Sequence, residues 1–238
     1  MLEGLRAITN RRQGGVALEI AIDGPAGAGK STIARLLSRR LNLNYLDTGA
    51  MYRAFTLKVV RTKMDLDDLE RVQDLLHQTD LEIIDESSGN RVIMDGEEVT
   101  EEIRDARVNQ WVSPVSAMEL VREAMVDKQR AMARKWGGVI MDGRDIGTCV
   151  LPHASHKFYL DASLDERVRR RYQELQEKGK ELAWHQVKEE IINRDRIDKE
   201  RSVSPLMVAS DAVVIDTTGL NIEEVVQEIV KHLTPKTA

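Results

Sequence analysis

The chain has 238 residues, 42% hydrophobic and 32% charged, with one cysteine and a formal net charge of −5. That length suits one large α/β domain, or a core carrying a smaller insert, and the composition excludes collagen-like, low-complexity and wholly disordered chains. The acidic balance argues against a general nucleic-acid polymer binder, and Cys149, with no second cysteine to pair with, suits a reducing compartment. No apolar stretch approaches the roughly 20 residues that span a bilayer. The basic residues divide unevenly, 23 Arg against 12 Lys. Arginine favours bidentate contact with phosphate and carboxylate, so a local anion site inside an acidic exterior is one reading. Compositional drift is the other.

Residues 1–17 carry Arg6, Arg11 and Arg12 with no apolar core after them. They read as a flexible leader and not as a secretory signal. Residues 18–23 (LEIAID) are short and apolar and end at Gly24-Pro25, which predicts a buried strand. Ile33, Leu36, Leu37 and Leu41 share one helical face, predicting a helix over 30–41. A second strand is predicted over 42–46, ending in Asp47-Thr48-Gly49, and a helix over 50–61. An acidic stretch from 64 to 70 opens a helix that continues to 76. Strand-like runs at 81–85 and 91–94 flank Ser87-Ser88-Gly89-Asn90 and predict a β-hairpin, with 97–99 as a third strand. This antiparallel unit reads as an insertion over 65–107. Helices are predicted over 106–136, broken near Pro114. A strand over 138–141 runs into Asp142-Gly143-Arg144-Asp145, and another covers 157–160. A charged helical stretch over 164–201, a strand over 212–215 and a helix over 222–233 complete the chain. Short apolar strands alternating with helices predict an α/β fold, a parallel sheet with helices on both faces.

Gly24-Pro25-Ala26-Gly27-Ala28-Gly29-Lys30-Ser31 matches G-x-x-x-x-G-K-[ST], with an apolar strand before it and an amphipathic helix after it. Glycines let backbone N–H groups converge on an anion, and the helix that follows aims its positive end at the same point. In such a loop Lys30 reaches the β- and γ-phosphates of a nucleotide, Ser31 ligates Mg²⁺, and Thr32 follows at the helix start. A glycine-rich turn matching by chance is the competing reading. The motif implies nucleoside-triphosphate binding and leaves the reaction open. Thr62-Lys63-Met64-Asp65 and Asp216-Thr217-Thr218-Gly219 resemble GTPase signatures, but in reversed order, and read as chance. The five histidines show no metal-ligand spacing. A compact kinase for a small acceptor must hold two anions end to end, and arginines suited to that task recur: Arg53, Arg144, Arg167 with Arg169 to Arg171, and Arg194 with Arg196 and Arg201.

The segments IDGPAGAGKST, YLDTGAMYR, EEIR, VIMDGRDIGT, FYLDAS, QEKG, INRDRIDKERSVSPL and SDAVVIDTT resemble those of bacterial cytidylate kinases, in the nucleoside monophosphate kinase superfamily of P-loop proteins. The resemblance spans nearly the whole chain after residue 17. It implies a three-layer fold in which residues 18–64 and 108–238 form the kinase core, 65–107 an acceptor-side insert, and about 164–181 a helical lid. It implies phosphorylation of CMP and dCMP by ATP with Mg²⁺, in pyrimidine nucleotide metabolism. The single cysteine suits the cytoplasm, and a monomer is the default expectation. Carried onto matching positions, Ser113, Arg122, Asp145 and Arg201 would read the cytosine edge. Asp198 and Arg194 would hold the ribose, and Thr48, Arg53 and Arg144 would lie near the acceptor phosphate. Lys30, Arg53 and Arg144 would act in the transfer. One lid arginine, Arg169 in this reading, would contact ATP. Either Asp142 or Asp145, both just after an apolar strand, could orient metal-bound waters; Asp142 is favoured for that and Asp145 for the base. Thr48 and Ser31 depart from residues common in the family (Ser and Gly), and both keep or add a hydroxyl. Another small-molecule kinase, of the UMP/CMP or shikimate type, and a non-catalytic ATP-binding regulator stay open as alternatives.

Overall fold

The computed structural model describes residues 18–87 and 89–233. The leader expected over 1–17, Ser88 of the expected hairpin turn and the last residues lie outside that description. Strand β1 (Glu19–Asp23) leads through a glycine-rich loop into α1 (Lys30–Leu41). β2 (Asn44–Asp47) passes directly into α2 (Thr48–Thr62), whose first turn is capped by Asp47 accepting from the Ala50 N–H at 3.0 Å. After α3 (Leu69–His77) come β3 (Leu81–Glu86), β4 (Gly89–Met94) and the short β5 (Glu97–Glu98). A 3₁₀ turn (Glu102–Arg104), α4 (Ala106–Ala117) and α5 (Glu119–Trp136) return the chain to β6 (Val139–Gly143). A π-helical turn (Ile146–Val150), β7 (His156–Asp161), α6 (Leu164–Glu177), α7 (Trp184–Glu200), β8 (Val213–Asp216) and α8 (Ile222–Leu233) follow.

The central sheet is five-stranded, ordered β2-β6-β1-β7-β8, and every pairing is parallel. Side chains alternate faces along a strand, so β1 splits its apolar residues. Ile20 and Ile22 join α1 and α8 in one buried cluster. Ala21 joins α2, α3, α4 and α5 in the other. This is the α/β, three-layer arrangement expected. The three-stranded antiparallel sheet β3-β4-β5 is separate in hydrogen bonding, yet Leu81, Ile83, Val92 and Met94 pack into the same cluster as Met51 and Phe55 of α2. No helix among the described residues is long and apolar enough to cross a membrane.

Several boundaries differ from expectation. Pro114 lies inside α4; the chain bends four residues later, at Met118 (φ −67°, ψ 127°). Proline's fixed φ is compatible with a helix, so it marked the neighbourhood of the bend and not its place. The helix expected from 64 starts at Leu69, where Asp68 caps it. The charged stretch 164–201 is two helices, and Lys178-Gly179 ends the first, with the Lys180 N–H bonded back to the Leu175 carbonyl at 2.9 Å. Neither the 3₁₀ turn nor the π-helical turn was foreseen.

Candidate active site

Two elements that the fold sets side by side, the C-terminal ends of β1 and β6, open into one cleft of about 1760 Å³. That exceeds the roughly 300–1,000 Å³ of a usual single-ligand pocket. Open α/β sheets bind ligands at this edge. Ala26 through Thr32 line the cleft, whereas Gly24 and Pro25 are not among its lining residues. Gly24 is required by close approach: a Cβ there would stand 2.0 Å from the Leu160 carbonyl oxygen of β7. Helix α1 begins without a side-chain cap, so its first N–H groups are left for an anion. The Ala26 N–H is used differently, donating to Asp195 of α7 at 3.1 Å. Arg167 braces the same point: it donates to the Ala26 carbonyl at 3.0 Å and to Asp195 at 2.5 Å.

Lys30 is buried, and its Nζ donates to the Pro25 carbonyl at 2.7 Å. Burial, then Arg144 and Arg194, push its ammonium below the ordinary lysine value. Asp142 at the end of β6 moves the other way. Burial and the neighbouring Asp47 raise its carboxyl above the usual range. Its two oxygens accept from Ser31 Oγ and from the Tyr45 hydroxyl, each at 2.8 Å. A hydroxyl and a carboxylate side by side at the head of α1 are hard oxygen donors of the kind magnesium takes. Among the described residues no group of three or more His, Cys, Asp or Glu could hold a metal. The donor set therefore fits an ion that keeps water and phosphate oxygens as its remaining ligands.

The far end of the cleft is built from α2, α4, α5, the loop after β6, and α7. Asp145 sits between two buried arginines, 2.5 Å from Arg122 and 3.6 Å from Arg201. Arg122 also lies over the Tyr52 ring, 5.3 Å from its centroid. Arg122 Nε and Arg201 Nη2 are buried with no hydrogen-bond partner among the described residues. Both residues line the cleft, as does buried Ser113. Asp198 accepts from Arg144 Nε at 2.7 Å. Burial alone would raise the Asp198 carboxyl, but Arg144, Arg194 and Arg201 outweigh it and hold it below the usual carboxylate value.

Between the two ends, positive charge is crowded. Arg53 donates to Asn109 at 2.6 Å and to the Ile103 carbonyl at 3.2 Å. Burial and Arg194 push its guanidinium down to about 9, with Arg171 and Arg104 adding to the effect. Burial and Arg144 push Arg194 down to about 10. Both remain charged at neutral pH. Buried cations forced together destabilise one another until an anion arrives, which is the signature of a binding site.

Thr48, Arg53, Ser113, Arg122, Asp142, Arg144, Asp145, Arg194, Asp198 and Arg201 thus meet Lys30 and Ser31 in one cleft, although they are scattered along the chain. The Thr48 hydroxyl donates to the Asp142 carbonyl at 2.7 Å. Arg169 also lines the cleft but is half-exposed and paired with Glu166 and Gln173. Arg104, Asn109, Tyr45 and Tyr52 were not singled out from the sequence. Arg104 lay inside the EEIR segment and Tyr45 and Tyr52 inside YLDTGAMYR, the available signals, while Asn109 owes its place to packing.

A model of the cytidylate kinase family matches residues 20–235. The cytidylate kinase of Caldanaerobacter subterraneus subsp. tengcongensis is 50% identical over 222 residues, covering 93% of this chain and 97% of that protein. That of Carboxydothermus hydrogenoformans is 47% identical, covering 92% and 98%. That of Bacillus pumilus is 50% identical, covering 89% and 94%. A match of this extent takes in the glycine-rich loop, the antiparallel sheet and the arginine-lined cleft together, and the chain belongs to the cytidylate kinase family.

Proposed function

We propose that the protein transfers the terminal phosphoryl group of ATP to CMP and dCMP, giving ADP and CDP or dCDP. The observation that carries this reading is a single cleft with a phosphate cradle at one end and Asp145 between Arg122 and Arg201 at the other. Asp145 can accept from the exocyclic amine of cytosine, where uracil has a carbonyl, and the two arginines can donate to ring acceptors. Asp198 can accept from sugar hydroxyls, with Arg194 beside it. Arg53, Arg144 and Thr48 hold the acceptor phosphate.

An oxygen of the acceptor phosphate attacks the γ-phosphorus in line. The bond from that phosphorus to the β–γ bridging oxygen breaks, and ADP leaves with the bonding pair. No covalent protein intermediate is needed, and an acceptor that is already anionic needs no strong base. Lys30, Arg53 and Arg144 stabilise charge on the moving group, an effect that is strong in a dry site. Ser31 directly and Asp142 through water would hold magnesium, which when bound with nucleotide would supply neutralising charge at the β- and γ-phosphates. Arg169 contacts the donor phosphates from α6, within a lid over about 164–181, while 65–107 acts as the acceptor-side insert of the core. We infer a cytoplasmic monomer; the lone Cys149 suits that compartment.

The test is an ADP-release assay across CMP, dCMP, UMP, AMP and shikimate. Turnover with CMP and dCMP at the highest kcat/KM is expected. Preference for UMP, AMP or shikimate, or no acceptor-dependent turnover, would refute the reading.

A further inference from the structure

Asp23, the last residue of β1, has no part in the chemistry above, yet it is only 5% exposed. Among the described residues its carboxylate forms no ion pair. Each of its oxygens accepts a backbone N–H from the loop after β6: Oδ1 from Ile146 at 2.8 Å and Oδ2 from Gly147 at 2.7 Å. These amides open the π-helical turn that follows Asp145 and have no partner within it. Asp23 therefore caps a turn that lies more than a hundred residues away. The other side of the same peptide is also tied, since the Asp145 carbonyl accepts from the Cys149 and Val150 N–H groups at 2.8 and 3.1 Å.

We propose that Asp23 is the positioning residue of the acceptor pocket, fixing the Arg144–Gly147 backbone so that Asp145 and Arg144 face the acceptor nucleotide. It joins the strand that begins the phosphate cradle to the loop that reads the base. The turn packs closely on the carboxylate: a Cβ at Gly147 would lie in van der Waals contact with Asp23 Oδ2, at 3.4 Å. The arrangement is maintained against a cost. Burial lifts the Asp23 carboxyl to about 6 despite the two N–H groups and Lys30, with Asp145 adding to the rise. At neutral pH it is ionised, the form in which both oxygens accept.

The proposal rests on the cytidylate reading, and the test separates the two. Steady-state kinetics with CMP and UMP are measured for the wild-type protein and for Asp23→Asn. Asparagine presents an NH₂ to one of the two N–H donors, so that contact is lost. The variant is expected to raise KM for CMP about tenfold and to lower the CMP/UMP ratio of kcat/KM about tenfold, with KM for ATP within about twofold. An unchanged KM for CMP and an unchanged ratio would overturn the proposal. So would a uniform loss of kcat, which any merely structural role would produce. A wild-type protein that does not phosphorylate CMP would instead sink the underlying reading. If Asp23→Asn does not fold, Asp23→Glu, which keeps the carboxylate but moves its oxygens by one methylene, is used, and the same split is expected. In the wild-type protein the Ile146 and Gly147 amides are expected to be protected from hydrogen exchange; exchange at the rate of exposed amides would also overturn it.

Discussion

Buried beside Arg144 and Arg194, the Lys30 ammonium is held below its ordinary value, so part of it is neutral on the alkaline side of neutrality. Nucleotide phosphates favour the charged form and raise that value again. Binding must then draw a proton onto Lys30, and affinity must fall as pH rises through the lowered value. At about pH 8 the phosphates are already ionised and contribute little to the proton count. Calorimetry of ADP binding in buffers of different ionisation heat is expected to show proton uptake there, and Lys30→Met is expected to abolish it. The same variant is expected to lower kcat by about a thousandfold while the fold is retained. Proton release or no proton change in the wild type would contradict this account of the cradle.

The edge strand of the sheet, β2, shows how an element far from the chemistry sets the acceptor pocket. Its outer edge has unpaired backbone groups, which the hairpin β3–β4 satisfies with side chains instead of a strand ladder. The Tyr45 N–H donates to Asp85 at 2.8 Å, Asn90 Nδ2 donates to the Tyr45 carbonyl at 2.8 Å, and the Asp47 N–H donates to Asn90 Oδ1 at 2.6 Å. This covers an edge that would otherwise be open to pairing. It also fixes Asp47, the cap of the helix that carries Tyr52 and Arg53. Asn90→Ala removes two of these contacts and is expected to cost about 1–3 kcal/mol of stability. It should raise KM for CMP severalfold and leave KM for ATP unchanged. Thermal unfolding and separate titrations of each substrate check both halves, and an equal effect on the two KM values would show that the hairpin does not act through the acceptor side. The hairpin was legible in the sequence because its strands are bounded by turn residues. Its docking was not, because Asp85 read as the end of a strand and Asn90 as a turn former, and their partners on β2 are set by tertiary packing.

Across the whole molecule, the parallel order β2-β6-β1-β7-β8 brings the ends of β1 and β6 together, so a cradle near residue 30 and a loop near residue 145 form one site. The cradle could be read directly, since its chemistry lies in eight consecutive residues. The strand preceding Asp142 to Asp145 was equally plain, as β6 is buried along its length. What escaped was set by distance or by backbone geometry. Asp23 looked like the end of a strand because its partners are Ile146 and Gly147, and the charge run over 164–201 hid the break at Gly179. The Arg-over-Lys excess acquires a location: Arg53, Arg104, Arg144, Arg171 and Arg194 all line one cleft. On this reading the cleft passes a phosphoryl group directly between two bound nucleotides. The most direct measurement is rapid-quench analysis of one turnover with ATP labelled at the γ-phosphate and CMP. Label is expected in CDP in step with ADP, one for one, and none on the protein; ADP formed without CDP, or label trapped on the protein, would overturn direct transfer.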